Sequence, residues 1–301
     1  MSRLICEDTL KALKWIPDGS VHVGVTSPPY NTQEKNKGWL VKNVVYDEYQ
    51  DAMPEPDYQA NQVAVLDEIF RATAPTGSFF YNHKLRWDRG ELYHPMDWLR
   101  KTKWTIRQEI IWHRMLAGNI RGWRFWQVEE RIYWLYKPSD GNLIGPELKS
   151  QDAKCTSVWK GVPENSNPHP APFPLWLPTR AILSALNAME IEKGMVLDPY
   201  IGSGTTAVAA KLLGHDYIGI DCSKEYIAYA RERLKNAQIE KPKLKEELDL
   251  HRISDSFRKR KREGKHVGKY KEATDPVPVI FKDDKRRNGK NETNPEQISL
   301  L

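Results

Sequence analysis

The apolar residues of this chain recur in short runs: RLIC (3–6), VHVGV (21–25), SFFYN (78–82), EIIW (109–112), RIYWLY (131–136), MVLD (195–198) and YIGID (217–221). Runs of this length bounded by turn residues read as strands buried on both faces. The segments between several of them carry helical periodicity, which predicts helices over 57–74, 91–103, 178–189, 205–213 and 223–241. In SKEYIAYARERLKNA, Ser223 is a natural N-cap, and Tyr226, Ile227, Ala230 and Leu234 share one apolar face. This alternation restricts the fold more than any other feature. It specifies an α/β protein, a mostly parallel twisted sheet with helices on both faces. Such sheets bind ligands beyond the carboxyl ends of their strands, so chemistry is expected at the strand-to-helix turns.

Two of those turns stand out. VTSPPYNTQEKNKG begins at Val25 and breaks the second run with two prolines and a tyrosine, Tyr30. In GMVLDPYIGSGTTAVAAKLLGHDYIGID a strand ends at Asp198, a loop holds Gly202 and Gly204, and a helix opens near Thr205. Glycines allow close backbone approach to a ligand, and a helix N-terminus offers free N–H groups. The next strand ends in Asp221, about 20 residues on, where an acid can accept from ribose hydroxyls. The third glycine of the dinucleotide fingerprint is absent and no GK[ST] follows, which disfavours a phosphate-binding loop. Alone, the glycine pair reads equally as a tight turn, and an isolated PPY as a strand terminator.

Longer strings decide between these readings. DPYIGSGTT (198–206) resembles the cofactor loop of S-adenosylmethionine-dependent amino-methyltransferases, DPFxGSGTT, with Tyr200 in place of Phe. TSPPYN (26–31) resembles their catalytic motif, [DNS]PP[YFW], and HPAPFP (169–174) resembles a third hallmark. The motif order is similar to that of the permuted beta group of DNA amino-methyltransferases, over residues 3–236. The resemblance implies a Rossmann-like methyltransferase fold, S-adenosylmethionine as cofactor and a base extruded from the duplex. It assigns Ser27 and the Pro28 carbonyl as acceptors for the target amine, Pro29 as part of the rigid turn, and Tyr30 as a stacking face. On the cofactor side it places Asp198 near the methionine moiety, Gly202, Gly204 and Thr205 along the loop, and Asp221 on the ribose. Asp8, in ICEDTL (5–10), corresponds to an acceptor for the adenine amino group, although Glu7 stands where the group has Gly. His169 and Phe173 would close over the methionine end, a loop brace being the other reading of His169. Serine at position 27, in place of aspartate, leans towards N4 of cytosine over N6 of adenine.

Recognition must rest on a small surface, because only residues 138–168 separate the last core strand from HPAPFP. One candidate is the loop 31–56, with Lys35, Lys37, Trp39 and Lys42. Another is WHRMLAGNIRGWRFWQ (112–127), where Arg114, Arg121 and Arg124 interleave with Trp123 and Trp126. For Trp123 and Trp126, base stacking and core packing are equally open; Trp112 and Trp134, within strand patterns, read as core. The net charge of +6 is confined to one end. Residues 241–301 carry 17 Lys and Arg against 11 Asp and Glu, leaving 29 of each in the rest of the chain. The expected organisation is a catalytic domain over 1–240 and a basic, flexible arm over 241–301 suited to a polyanion. The expected function is site-specific methylation of duplex DNA beside a cognate restriction endonuclease, with structured RNA such as rRNA as the alternative substrate. Monomer and homodimer both remain open. The three cysteines, Cys6, Cys155 and Cys222, are too few and too dispersed for a disulfide framework or zinc site, and no metal cluster is visible. Cys6 and Cys222 read as packing residues, since an amine target needs no thiol nucleophile. No apolar run approaches about 20 residues and MSRLICEDTLK lacks a signal-peptide core, so a cytoplasmic setting without a membrane partner is expected.

Overall fold

Ten strands are present in the computed structural model, which describes residues 2–32, 51–118, 122–149, 152–164 and 172–251. They are β1 (Arg3–Cys6), β2 (Val21–Thr26), β3 (Thr73–His83), β4 (Arg86–Asp88), β5 (Glu91–Tyr93), β6 (Thr105–Gly118), β7 (Gln127–Tyr136), β8 (Val158–Lys160), β9 (Met195–Asp198) and β10 (Asp216–Asp221). Eight form one sheet in the order β1-β10-β9-β2-β3-β7-β6-β8, and β4 and β5 form a separate hairpin. The first five strands of that order run parallel. β7 enters antiparallel between β3 and β6, and β8 lies parallel to β6 at the far edge. Among the described residues, no helix is long and apolar enough to cross a membrane.

Side chains alternate between two cores, as period-two strands require when both faces are covered. Phe80, Ile132, Trp134 and Val196 enter one core; Phe79, Tyr81, Tyr133, Leu135 and Leu197 enter the other. The first core packs against α4 (Trp176–Ala188), α5 (Thr205–Leu212), α6 (Lys224–Lys235) and α7 (Lys245–Leu250). The second packs against α1 (Thr9–Leu13), α2 (Glu55–Ala72) and the short α3 (Met96–Leu99). This is the expected Rossmann-like arrangement of a mostly parallel sheet between helical layers.

Several expectations need correction. The helix over 91–103 does not form. Arg89 and Gly90 both have positive φ, 48° and 89°, which closes a tight turn and commits Glu91–Tyr93 to a hairpin. Pro95 then caps the brief α3. The helix expected over 223–241 ends at Lys235, and a 3-10 turn carrying Pro242 follows. Cys6 and Cys222 are exposed, so they do not serve core packing.

Past residue 240 the described chain continues through α7 to His251. Arg180 on α4 forms a paired ion bridge with Glu247 on α7, at 2.7 and 2.6 Å. His251 bonds Glu247 through Nε2 at 2.8 Å and the buried Asp152 through Nδ1. Burial alone would lower the His251 pKa, but the two carboxylates outweigh it and raise the pKa. A buried charge is tolerated when paired in this way, and here the pairing docks α7 on α4. The remainder of the basic arm, 252–301, lies outside the described residues.

Candidate active site

β9 and β2 are neighbours whose following helices pack on opposite faces, α5 on one and α2 on the other. Their carboxyl ends therefore border the crevice in which parallel sheets bind ligands. Across that junction Thr26 donates from Oγ1 to Asp198 Oδ1 at 2.6 Å. The same oxygen accepts the Tyr200 amide at 3.1 Å, and Oδ2 accepts the Thr206 hydroxyl at 2.6 Å. Asp198 is 1% exposed, and burial pushes its pKa up to about 6 against the pull of those donors. Its carboxylate thus ties the turn after β2 to the loop after β9.

Ser27, Pro28, Pro29 and Tyr30 form the turn, and it is anchored on both sides. Tyr58 of α2 donates its hydroxyl to the Pro29 carbonyl at 2.8 Å and lies 2.8 Å from His83 Nε2. Asn31 takes a left-handed φ of 52°, which asparagine tolerates. Its amide donates to Asp51 at 2.6 Å, and its side chain exchanges bonds with Met53 at 2.7 and 2.9 Å. The Thr32 amide and hydroxyl also donate to Asp51, at 3.0 and 2.9 Å. The ring of His83 backs Tyr30 with centroids 4.5 Å apart, and burial holds the His83 pKa well below its ordinary value.

A polar cluster lies at the hydroxyl of Tyr30. That hydroxyl is 2.5 Å from Ser27 Oγ and donates to Glu130 Oε2 at 2.9 Å. Asn82 Nδ2 approaches the same carboxylate oxygen at 2.7 Å and the Tyr30 oxygen at 2.8 Å. Arg114 holds the other oxygen of Glu130 at 2.9 Å. Arg114, read from sequence as a nucleic-acid contact, is therefore occupied by an acid. One acceptor in this cluster is without a partner among the described residues, the buried Asn82 Oδ1. Lys84 Nζ lies 5.3 Å from the Tyr30 ring centroid; burial lowers its pKa, with Glu130 opposing. Sequence reasoning missed Asn82, His83 and Glu130. The available signal was a polar pair at the end of the third run, and an acid directly before the run RIYWLY.

On the other side of the junction, Gly202 and Gly204 have φ of 46° and 88°. A Cβ on Gly204 would also lie 2.9 Å from that of Ala230 on α6, so only glycine fits. Asp221 accepts the Gly202 amide at 2.9 Å through one oxygen and the Ser223 amide at 2.9 Å through the other. Thr205 is buried and accepts from Arg233 at 2.9 Å, which turns its hydroxyl towards α6. Asp8 is exposed and caps α1 by accepting the Lys11 amide at 3.0 Å. Its neighbours place it beside the loop: Glu7 N donates to the Asp221 carbonyl at 3.1 Å, and Thr9 Oγ1 to the Pro199 carbonyl at 2.9 Å. Two acids at the ends of adjacent strands, beside left-handed glycines, suit a nucleoside that has an amine and hydroxyls to donate. Phe173 packs in the core on the α4 side. His169, Arg121, Lys35, Lys37, Trp39 and Lys42 lie outside the described residues.

The connection from β6 to β7 makes an aromatic rim. Trp123 and Trp126 are 58% and 60% exposed, with Phe125 between them also exposed, which excludes core packing for the two tryptophans. The Arg124 guanidinium lies 4.0 Å from the Trp87 ring centroid, and Trp87 meets Trp123 edge-on at 6.4 Å. Trp112 and Trp134 are core residues, as read from their strand patterns.

Residues 21–232 match the DNA methylase family. The chain is 30% identical over 254 residues to the Type II methyltransferase M.HpaI of Haemophilus parainfluenzae, an alignment covering 77% of this chain and 74% of that protein. It is 28% identical over 250 residues to M2.DpnII of Streptococcus pneumoniae, covering 77% and 88%. Among solved structures, TTHA0409 of Thermus thermophilus, assigned as a DNA modification methylase and complexed with S-adenosyl-L-methionine, aligns with a TM-score of 0.57 at 25% identity. That alignment covers 79% of this chain and 94% of the other. The cytosine-N4-specific PvuII DNA methyltransferase shares the fold, with a TM-score of 0.61 at 17% identity over 84% of this chain and 96% of its own. Motifs, topology and relatives agree: the chain belongs to the N6/N4 DNA methylase family of S-adenosylmethionine-dependent enzymes.

Proposed function

We propose that the protein is a site-specific, Type II methyltransferase that methylates N4 of cytosine in duplex DNA, working beside a restriction endonuclease. The observation that carries this reading is the set of acceptors at the carboxyl end of β2. Ser27 Oγ and the Asn82 side chain, whose Oδ1 has no partner among the described residues, meet at the Tyr30 hydroxyl, and the Pro28 carbonyl follows Ser27 in the same turn. An exocyclic amine is a poor nucleophile because its lone pair is delocalised into the base. Acceptors for its N–H groups draw that pair out of conjugation and orient it. The turn is rigid, since two prolines restrict φ and Tyr58 holds Pro29, so little orientation is left to be lost on binding. Tyr30, backed by His83, offers a surface for an extruded base.

Bound S-adenosylmethionine supplies the electrophilic methyl group. Asp8 and Asp221 would hold the adenine amine and ribose, with Gly202, Gly204 and Thr205 forming the close-approach loop that Asp198 orders. His169 and Phe173 would close over the methionine end. Arg121, Trp123, Arg124 and Trp126 would contact phosphate and unpaired bases, and the basic arm would add phosphate contacts. Serine at position 27 favours cytosine N4 over adenine N6.

The decisive experiment offers tritiated S-adenosylmethionine, duplex DNA and total RNA to the purified protein, followed by nucleoside mass spectrometry. N4-methylcytosine in DNA supports the reading. N6-methyladenine refutes the choice of base, and label confined to RNA refutes the choice of substrate. Tyr30→Ala should lower turnover about 10- to 100-fold, the worth of one base–aromatic stack, while cofactor affinity stays within about twofold. An equal loss of cofactor affinity would remove Tyr30 from the base side.

A further inference from the structure

β7 carries one acid into the buried polar cluster beside Tyr30. Glu130 is 7% exposed and stands in register with Trp112 on β6. Burying a carboxylate is costly unless its oxygens are engaged, and here they are divided between two tasks. Oε1 pairs with Arg114 at 2.9 Å, while Oε2 receives the Tyr30 hydroxyl at 2.9 Å and the Asn82 amide at 2.7 Å. The ion pair with Arg114 makes Glu130 an acceptor only, which sets the direction of every bond leading to it. Tyr30 gives its proton to Glu130. The Tyr30 oxygen therefore accepts the Ser27 proton across 2.5 Å, and Ser27 Oγ is left as the acceptor at the head of the chain.

Resting on the reading of Ser27 and Tyr30 as the base-binding turn, we propose that Ser27, Tyr30 and Glu130 form a proton relay. Glu130 is the terminal acceptor of the proton that the target amine loses on methylation. Methyl transfer forms one N–C bond and breaks one S–C bond, whose electron pair stays on sulfur. The nitrogen has given its lone pair and holds one proton in excess. That proton passes to Ser27 Oγ, the Ser27 proton to the Tyr30 oxygen, and the Tyr30 proton to Glu130 Oε2. Ser27 and Tyr30 end as they began, and the carboxylate ends as a carboxylic acid. An aryl-ammonium is a stronger acid than a carboxylic acid, so the net transfer runs downhill when each hydroxyl gives up its own proton as it accepts the next. Loss of the proton to solvent after product release restores the pair with Arg114. Glu130 acts through Tyr30 and touches no substrate, which makes it a positioning and relay residue. Asn82 spans the relay, with Nδ2 within 3.4 Å of Ser27 Oγ and 2.8 Å of the Tyr30 oxygen.

The relay separates two functions of Tyr30, since Tyr30→Phe keeps the ring and removes the link. The test measures single-turnover rates for Tyr30→Phe, Glu130→Gln and the double variant on the nucleic acid that the wild type methylates, over about pH 5.5 to 9, with thermal unfolding and binding of duplex and cofactor in parallel. Each single variant should lose about 100-fold in rate, the lower range for proton-transfer catalysis, with both affinities within about threefold of wild type. The double variant should be no slower than the slower single, because links in series are lost once. Glu130→Asp, which keeps a carboxylate acceptor, should recover part of the rate that Glu130→Gln loses, which a merely structural acid would not produce. Losses that multiply in the double variant, or an aspartate that recovers none of the rate, would overturn the relay. Should Glu130→Gln fail to fold, Tyr30→Phe decides alone: a rate within about twofold of wild type refutes the proposal. The ratios are read on whichever base and polymer the wild type modifies, so an error in the proposed substrate leaves this test intact.

Discussion

Asp198→Asn isolates the bond network that joins the two halves of the site, and its effect can be worked out in advance. The Asp198 carboxyl moves from the ordinary 3.8 to about 6 because it is buried. At 1.36 kcal/mol per tenfold change in proton affinity, this corresponds to about 3 kcal/mol. The sign follows from linkage. A carboxyl whose pKa rises on folding binds its proton more tightly in the folded state, so its contribution is fully present below about pH 3.8 and is lost as pH rises through about 6. Asparagine can replace it without breaking the network. Its oxygen takes the Thr26 and Tyr200 donors, and its amide donates to Thr206, whose own proton turns to the Val25 carbonyl 3.4 Å away. The amide does not titrate. The stability of Asp198→Asn relative to wild type should therefore climb by about 3 kcal/mol between about pH 4 and pH 8. Urea unfolding of both proteins at intervals across that range reads the difference. A difference that is constant with pH, or that falls as pH rises, would show that the ionised carboxylate is not costly where it sits.

Gly204→Ala combines a φ of 88° with a Cβ 2.9 Å from Ala230, and should destabilise the fold by about 2–4 kcal/mol, read by thermal unfolding. A loss under about 0.5 kcal/mol would mean that α6 yields easily. Replacing Trp123 and Trp126 together by alanine should weaken duplex binding about 10- to 100-fold while melting stays near wild type, since both are exposed. Unchanged affinity would take the rim out of the nucleic-acid contact.

Those parts of the site that are contiguous in the chain were readable from it. Ser27 to Tyr30 and Asp198 to Thr206 are unbroken strings at strand ends, and the βα alternation around them specified the layered sheet. Glu130 and Asn82 were not readable as partners, because they reach Tyr30 from other strands and no local pattern records that meeting. The same holds for the α7 clasp, where His251 finds Asp152 99 positions away. The helix expected over 91–103 failed for the opposite reason. A two-residue turn at Arg89 and Gly90 overrode an apolar period that looked helical in isolation. Trp123 and Trp126 were ambiguous because composition cannot tell a stacking surface from a core; only their exposure separates the two.

The order of strands governs how this enzyme comes into being. Val23 on β2 stands in register with Ser78 on β3 on one side and with Val196 on β9 on the other, and β1 waits for β10. A nascent chain can therefore build only one flank of its central strand until the ribosome has delivered residue 196 and beyond. Pairings this distant in sequence make closure of the sheet a late and slow event. Until it happens, Thr26 has no Asp198 to meet, although Asp51, Met53 and Tyr58 already hold the turn after β2. The acceptor turn can thus stand early, but it is joined to the cofactor loop only in the step that completes the sheet.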